Sequence, residues 1–99
     1  MADVIYRLEI RGRVQGVYYR QSMVEYARNT GVRGWVRNRL DGSVEAVVAG
    51  DTDAVDKTIA WCRQGPPQAA VSAVELFPIE LFPETAEISL EYFQQRETL

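Results

Sequence analysis

One stretch of the chain concentrates groups able to grip an anion: Gly12-Arg13-Val14-Gln15-Gly16-Val17-Tyr18-Tyr19-Arg20. It contains no proline, so every residue from Arg13 to Arg20 offers a backbone N–H. Gly12 and Gly16 permit positive φ and let the chain curl until successive N–H groups converge. A nest of that kind just before a helix N-terminus suits phosphate. The candidate donors are the N–H groups of Val14, Gln15, Gly16, Val17, Tyr18 and Tyr19. The pattern is neither a Walker A loop, which needs a Lys-Ser/Thr pair, nor a dinucleotide fingerprint. An ordinary strand-to-helix turn draws on the same residue types.

Arg20 and Asn38 stand out beside this loop. A cation at a helix start opposes the macrodipole by about 0.3–1 kcal/mol, so a purely structural helix favours Asp, Glu or Ser there. A bound dianion reverses the sign of that cost, and arginine presents a planar fork for bidentate phosphate binding. The plain alternative is an arginine that swings out to solvent. Asn38 falls inside a strand pattern, Gly34-Trp35-Val36-Arg37-Asn38, where asparagine is disfavoured. Its amide donates and accepts together, which suits holding a water in a fixed orientation. A strand-end residue preparing the following turn is the structural alternative.

The remaining composition excludes most other chemistry. The 99 residues include no histidine and one cysteine. A Ser-His-Asp triad, a Cys-His pair and a His-ligated metal are therefore impossible within the chain, as is an internal disulfide. Asp51, Asp53 and Asp56 lack the glycine and distal glutamate of a calcium loop and read as helix-capping residues. Cys62 reads as a small core hydrophobe. Neither a metal nor another cofactor is expected.

Charge is unevenly spread. Residues 1–40 hold eight arginines against three acids, a balance of +5, while residues 41–99 hold three cations against eleven acids, a balance of −8. The asymmetry points to an anionic ligand for the first half or to a solvated, salt-tolerant surface. Tyr18, Tyr19 and Trp35 near basic residues could stack on bases, or could equally pack in the core. The chain as a whole is acidic, with net charge −3, and no nucleic-acid partner is expected. The charged opening MADVIYRLEI is neither a signal peptide nor a membrane anchor, and a cytoplasmic location follows as the expectation.

The elements that must position these residues follow from periodicity. Val4, Tyr6, Leu8 and Ile10 alternate with Ile5, Arg7, Glu9 and Arg11 as a half-buried strand does. A helix is expected from about Arg20 to Thr30, stopped by Gly31. Strands follow over Val32–Leu40 and Val44–Ala49, joined at Asp41-Gly42. A second helix is capped by Asp51 or Thr52, turns Val55, Ile59 and Cys62 inward, and ends at Gly65-Pro66-Pro67. A fourth strand is expected over Val71–Leu81, its later part at an edge or bulge because Pro78 and Pro83 limit central pairing. Ile88, Leu90 and Tyr92 suggest a short fifth. The prediction is one α+β domain over residues 1–99. It is a ferredoxin-like β-α-β-β-α-β sandwich: an antiparallel sheet, both helices on one face, and a short extra C-terminal strand.

Gly12 to Arg20, then Gly34-Trp35-Val36-Arg37-Asn38, with Gly42-Ser43-Val44 and Gly50 in register, resemble the two signature motifs of the acylphosphatase family. The likeness spans nearly the whole chain, including Gly65-Pro66-Pro67 before the fourth strand. It implies metal-independent hydrolysis of acyl phosphates to a carboxylate and inorganic phosphate. It also implies that Arg20 binds the phosphate and Asn38 positions the attacking water. Arg39 departs from the pattern, since many members carry a hydroxyl residue there. Because the chain ends at Leu99 without an attached domain, a free-standing monomeric enzyme acting on a small-molecule acyl phosphate is expected. A non-catalytic phosphate- or polyanion-binding module of the same fold is the alternative.

Overall fold

In the first strand Leu8 and Ile10 are fully buried while Arg7, Glu9 and Arg11 turn outward, so the two-residue period of the sequence becomes two faces of a sheet. The computed structural model describes residues 3–79 and 93–99. Its elements are β1 (Asp3–Arg13), α1 (Tyr19–Thr30), β2 (Arg33–Asn38), β3 (Val44–Asp51), α2 (Thr52–Gln64), β4 (Ala70–Pro78) and β5 (Phe93–Gln95). The strands form a sheet in the order β4-β1-β3-β2-β5. This is the ferredoxin-like plan with an added C-terminal strand. β1 runs antiparallel to β3 and β4, and β2 antiparallel to β3. β5 instead joins β2 in parallel, from Gly34↔Phe93 to Val36↔Gln95, so the sheet is mixed rather than wholly antiparallel. β4 and β5 occupy opposite edges of the sheet. The strand expected around Ile88, Leu90 and Tyr92 lies outside the described residues, as do Leu81 and Pro83.

Both helices pack on one face. Tyr19, Met23 and Ala27 of α1 and Val55, Ile59 and Cys62 of α2 meet Leu8, Ile10, Val36, Val44, Ala46 and Val48 of the sheet. Each buried aliphatic side chain contributes about 1.5–3 kcal/mol, and this interlayer core holds the sandwich together. Among the described residues no helix is long and apolar enough to cross a membrane. α1 stops where Val32 N–H reaches the Ala27 carbonyl at 2.9 Å, with Gly31 N–H on Arg28. α2 starts at Asp51, whose carboxylate accepts from the N–H groups of Asp53 (2.9 Å) and Ala54 (3.3 Å). Of the two candidate caps, Asp51 is the one used.

β2 ends at Asn38, two residues short of the expected Leu40. The cause is Asp41, whose carboxylate accepts from both the N–H (2.9 Å) and the hydroxyl (2.6 Å) of Ser43. Those bonds hold the Asp41 carboxyl below its ordinary range, the nearby Arg11 and Arg39 adding less. Residues 39–43 are thereby gathered into a loop instead of continuing the ladder. β1, by contrast, runs past Gly12 to Arg13. Gly12 sits at a bulge opposite β4 with φ +118°, and a Cβ there would strike the Ala70 carbonyl oxygen and lie 2.6 Å from Ser72 N. Its lack of a side chain serves strand contact, not the curl of the loop.

The outer face of the sheet absorbs most of the arginines. Glu45 accepts from Arg37 at 2.8 Å, Arg39 at 3.3 Å and Arg7 at 3.4 Å. Arg11 lies within 3.5 Å of Glu75, and Arg33 within 3.1 Å of Asp3. Glu45 and Glu75 of the second half thus offset arginines of the first, while Asp3 of the first half serves Arg33.

Two outcomes follow. Gly12→Ala should lose about 2–4 kcal/mol of stability through backbone collision and an unfavourable φ, read from denaturant unfolding, and an unchanged midpoint would contradict the close β1–β4 contact. The second concerns pH. Burial pushes the Cys62 thiol up to about 12, and burial followed by the nearby Cys62 raises the Tyr19 phenol as well. The unfolded chain therefore releases these protons first as pH rises. Stability should be full below about pH 9 and fall steadily toward pH 12, more shallowly in Cys62→Ala.

Candidate active site

The loop between β1 and α1 is shaped by alternating burial. Val14, Val17 and Tyr19 sink into the core at 1%, 4% and 2% exposure, whereas Gly16 and Tyr18 stay outside, Tyr18 at 69%. Tyr19 is further fixed by its hydroxyl, which donates to the Cys62 carbonyl at 2.8 Å. With these side chains pinned, the main chain between them must bend sharply. Gly16 takes φ +73° and Tyr18 takes φ +64°, a left-handed conformation uncommon for a residue with a Cβ. Such a position costs about 1–3 kcal/mol and persists only where its neighbours overdetermine it. Here they do, because Val17 and Tyr19 on either side are both buried.

The bend turns donors loose. Among the described residues, none of the N–H groups from Val14 to Tyr19 has a hydrogen-bond acceptor. α1 begins immediately afterwards without a side-chain cap and without an acid in its first turn. The positive end of the helix and the free N–H groups therefore face outward together. Arg20, half-buried, has no ion pair or hydrogen bond among the described residues. Among the described residues, no carboxylate neutralises it.

Val14, Gly16, Tyr18, Tyr19, Arg20, Gln21, Asn38 and Gln95 line one cleft of about 370 Å³. Arg20 and Asn38, 18 positions apart in the chain, share it because β2 lies across the sheet from the loop and ends at Asn38. The Asn38 Oδ1 is buried and has no hydrogen-bond partner among the described residues, an arrangement that costs about 1–3 kcal/mol. The Asn38 carbonyl, meanwhile, accepts from Leu99 N–H at 3.1 Å, so the main chain at this strand end is tied down.

Of the residues singled out from sequence, Gln15 and Val17 do not line the cleft. Val17 is an anchor, and the Gln15 side chain reaches the carbonyls of Arg39 and Ser43. Arg39 turns to Glu45 on the outer face, away from the cleft. Gln21 and Gln95 line the cleft without having been foreseen. Gln21 was within reach, one position past Arg20 at the helix start. Gln95 arrives only through the parallel pairing of β5 with β2, for which no local pattern exists.

Comparison with known proteins identifies the family. A family model described as acylphosphatase matches residues 6–89. An acylphosphatase of Albidiferax ferrireducens is 60% identical over 80 residues, covering 81% of this chain and 87% of that one. One from an Acidovorax species is 48% identical over 98 residues, covering 99% and 95%. The solved structure of an acylphosphatase from Coxiella burnetii superposes with a TM-score of 0.84 at 33% identity, over 95% of this chain and 93% of that one.

Proposed function

The chain belongs to the acylphosphatase family, enzymes that hydrolyse acyl phosphates, and from that premise we propose how its cleft does so. The N–H groups of Val14, Gly16, Tyr18 and Tyr19, the loop residues that line the cleft, together with the Arg20 guanidinium, hold the phosphoryl oxygens. Asn38 holds a water on the opposite side from the leaving carboxylate. Water oxygen bonds to phosphorus, the bond from phosphorus to the acyl oxygen breaks, and a carboxylate departs. The proton of the water passes to a phosphoryl oxygen of the substrate itself. No acid is required for the leaving group, since a carboxylate is stable as the anion. Phosphoryl transfer in general leaves the protein mainly positioning and charge stabilisation to supply.

The observation that supports this reading most is the half-buried Arg20, without an ion pair among the described residues, beside loop N–H groups that have no acceptor among them, in one cleft with Asn38. A fold at rest would not choose that concentration of positive charge at a helix N-terminus. A phosphate satisfies all of it together. The buried Asn38 Oδ1 fits the same account. The terminal torsion of an asparagine is soft, and a modest rotation brings this acceptor to a water in the cleft.

Substitutions separate the two roles. Arg20→Ala should lower kcat/KM about 10²–10³-fold and weaken inhibition by inorganic phosphate, and retention of most turnover removes Arg20 from the site. Asn38→Ala should lower kcat about 100-fold with phosphate inhibition kept within about twofold. Lost phosphate affinity would instead make Asn38 a binding residue. Among the described residues, the cleft lining holds no carboxyl, thiol or imidazole. Between about pH 5 and 8 the turnover profile should therefore show only the ionisation of the substrate phosphate. An additional inflection abolished by substituting one side chain would reveal a general base that this account omits.

A further inference from the structure

Gln15 belongs to the phosphate loop by its place in the chain, yet its side chain serves another segment. Its Nε2 donates two hydrogen bonds, each 2.8 Å long, to the carbonyl oxygens of Arg39 and Ser43. These carbonyls close the loop between β2 and β3. Ser43 O also accepts from Arg39 N–H at 2.8 Å, and Arg39 O from Gly42 N–H at 3.1 Å. Few uncharged side chains can do this, because it takes two N–H bonds on one nitrogen, and a primary carboxamide supplies them. Asn38 is the residue immediately before Arg39.

Resting on the assignment of phosphate to the loop and water to Asn38, we propose that Gln15 is a positioning residue that fixes the separation between the two. The loop holds one reacting partner and the strand end the other, and they come from different elements of the sheet and the helix layer. Main-chain ladders bring Ile10 of β1 and Asn38 of β2 opposite the same residue, Val44, but they stop short of the loop that follows β1. The Gln15 carboxamide spans the remaining gap directly, with both of its protons engaged. In-line attack is sensitive to this distance, since a displacement of roughly 1 Å costs about 100-fold in rate.

The turn does not depend on Gln15 for its own shape. Asp41 holds Ser43 by two hydrogen bonds, and Asn38 pairs with Val44 in the ladder. Each of the two carbonyls keeps a main-chain donor when Gln15 is removed. Loss of the side chain should therefore loosen the spacing while the fold remains. Glutamate in place of Gln15 keeps the shape but points a carboxylate at two carbonyl oxygens.

The test uses acetyl phosphate turnover, inhibition by inorganic phosphate, and a double-mutant cycle. Gln15→Leu, with Gln15→Glu as the second variant should the first fail to fold, is expected to lower kcat about 10- to 100-fold with phosphate inhibition within about twofold. Added to Asn38→Ala, the same substitution should cost less than about threefold, because its effect runs through Asn38. A merely structural role predicts the full loss in both backgrounds. Unchanged kcat in a folded Gln15 variant, or an equal loss in the Asn38→Ala background, overturns the proposal. If Asn38→Ala itself keeps normal turnover, the water-holding assignment fails and this proposal fails with it. An inactive Asn38→Ala beside a fully active Gln15→Leu sinks the positioning role alone.

Discussion

Burial of Val14, Val17 and Tyr19 in a run of six residues is the constraint on which the rest of the cleft depends. It forces the main chain between them outward, and that excursion frees the N–H groups. The local costs are real. They include the left-handed Tyr18 at about 1–3 kcal/mol, the orphaned Asn38 oxygen at about 1–3 kcal/mol, and Arg20 against the helix dipole at about 0.3–1 kcal/mol. Three buried side chains at about 1.5–3 kcal/mol each are comparable with that total and hold the arrangement in place. A loop less firmly anchored would relax Tyr18 to negative φ and redirect the donors.

Charge is sorted by the fold rather than by the order of the chain. Arg7, Arg11, Arg33, Arg37 and Arg39 stand on the outer sheet face in ion pairs with Asp3, Glu9, Asp41, Glu45 and Glu75. Such pairs are worth little individually, about 0–1 kcal/mol each where exposed. Their effect is to cancel most of the +5 balance of the first forty residues before any ligand sees it. What stays uncancelled in the cleft is Arg20 together with a helix end. The proposed anion site is thus a local feature, smaller than the charge count alone suggests.

Much of this was readable in the sequence because the signals are local. Alternation at Leu8 and Ile10, the Gly31 stop, the Asp51 cap and the inward stripe of Val55, Ile59 and Cys62 are set within a few residues. Arg20 and Asn38 were conspicuous because each contradicts its own local preference. The features that escaped are those decided elsewhere in the molecule. Gly12 looks like a loop hinge until β4 is seen pressed against it. Gln95 gains its place from a parallel partner across the sheet. The left-handed Tyr18 follows from simultaneous burial of both neighbours, which no pair of adjacent residue types announces.

The mechanism also explains why so much of the site is made of amides. Acyl phosphate hydrolysis needs no proton delivered to its leaving group, so groups that titrate near neutrality bring little benefit. A carboxylate near the phosphate would repel it, and an imidazole would alter the local charge across the working pH range. Main-chain N–H groups and carboxamides carry fixed dipoles whose orientation is set by packing. Their weakness is that a dipole acts over a short range, so position must be held closely. That requirement falls on the buried valines, on Tyr19 and on the Gln15 bridge rather than on the residues facing the substrate. On the proposed mechanism, side chains that never meet the phosphate set the precision with which the others do.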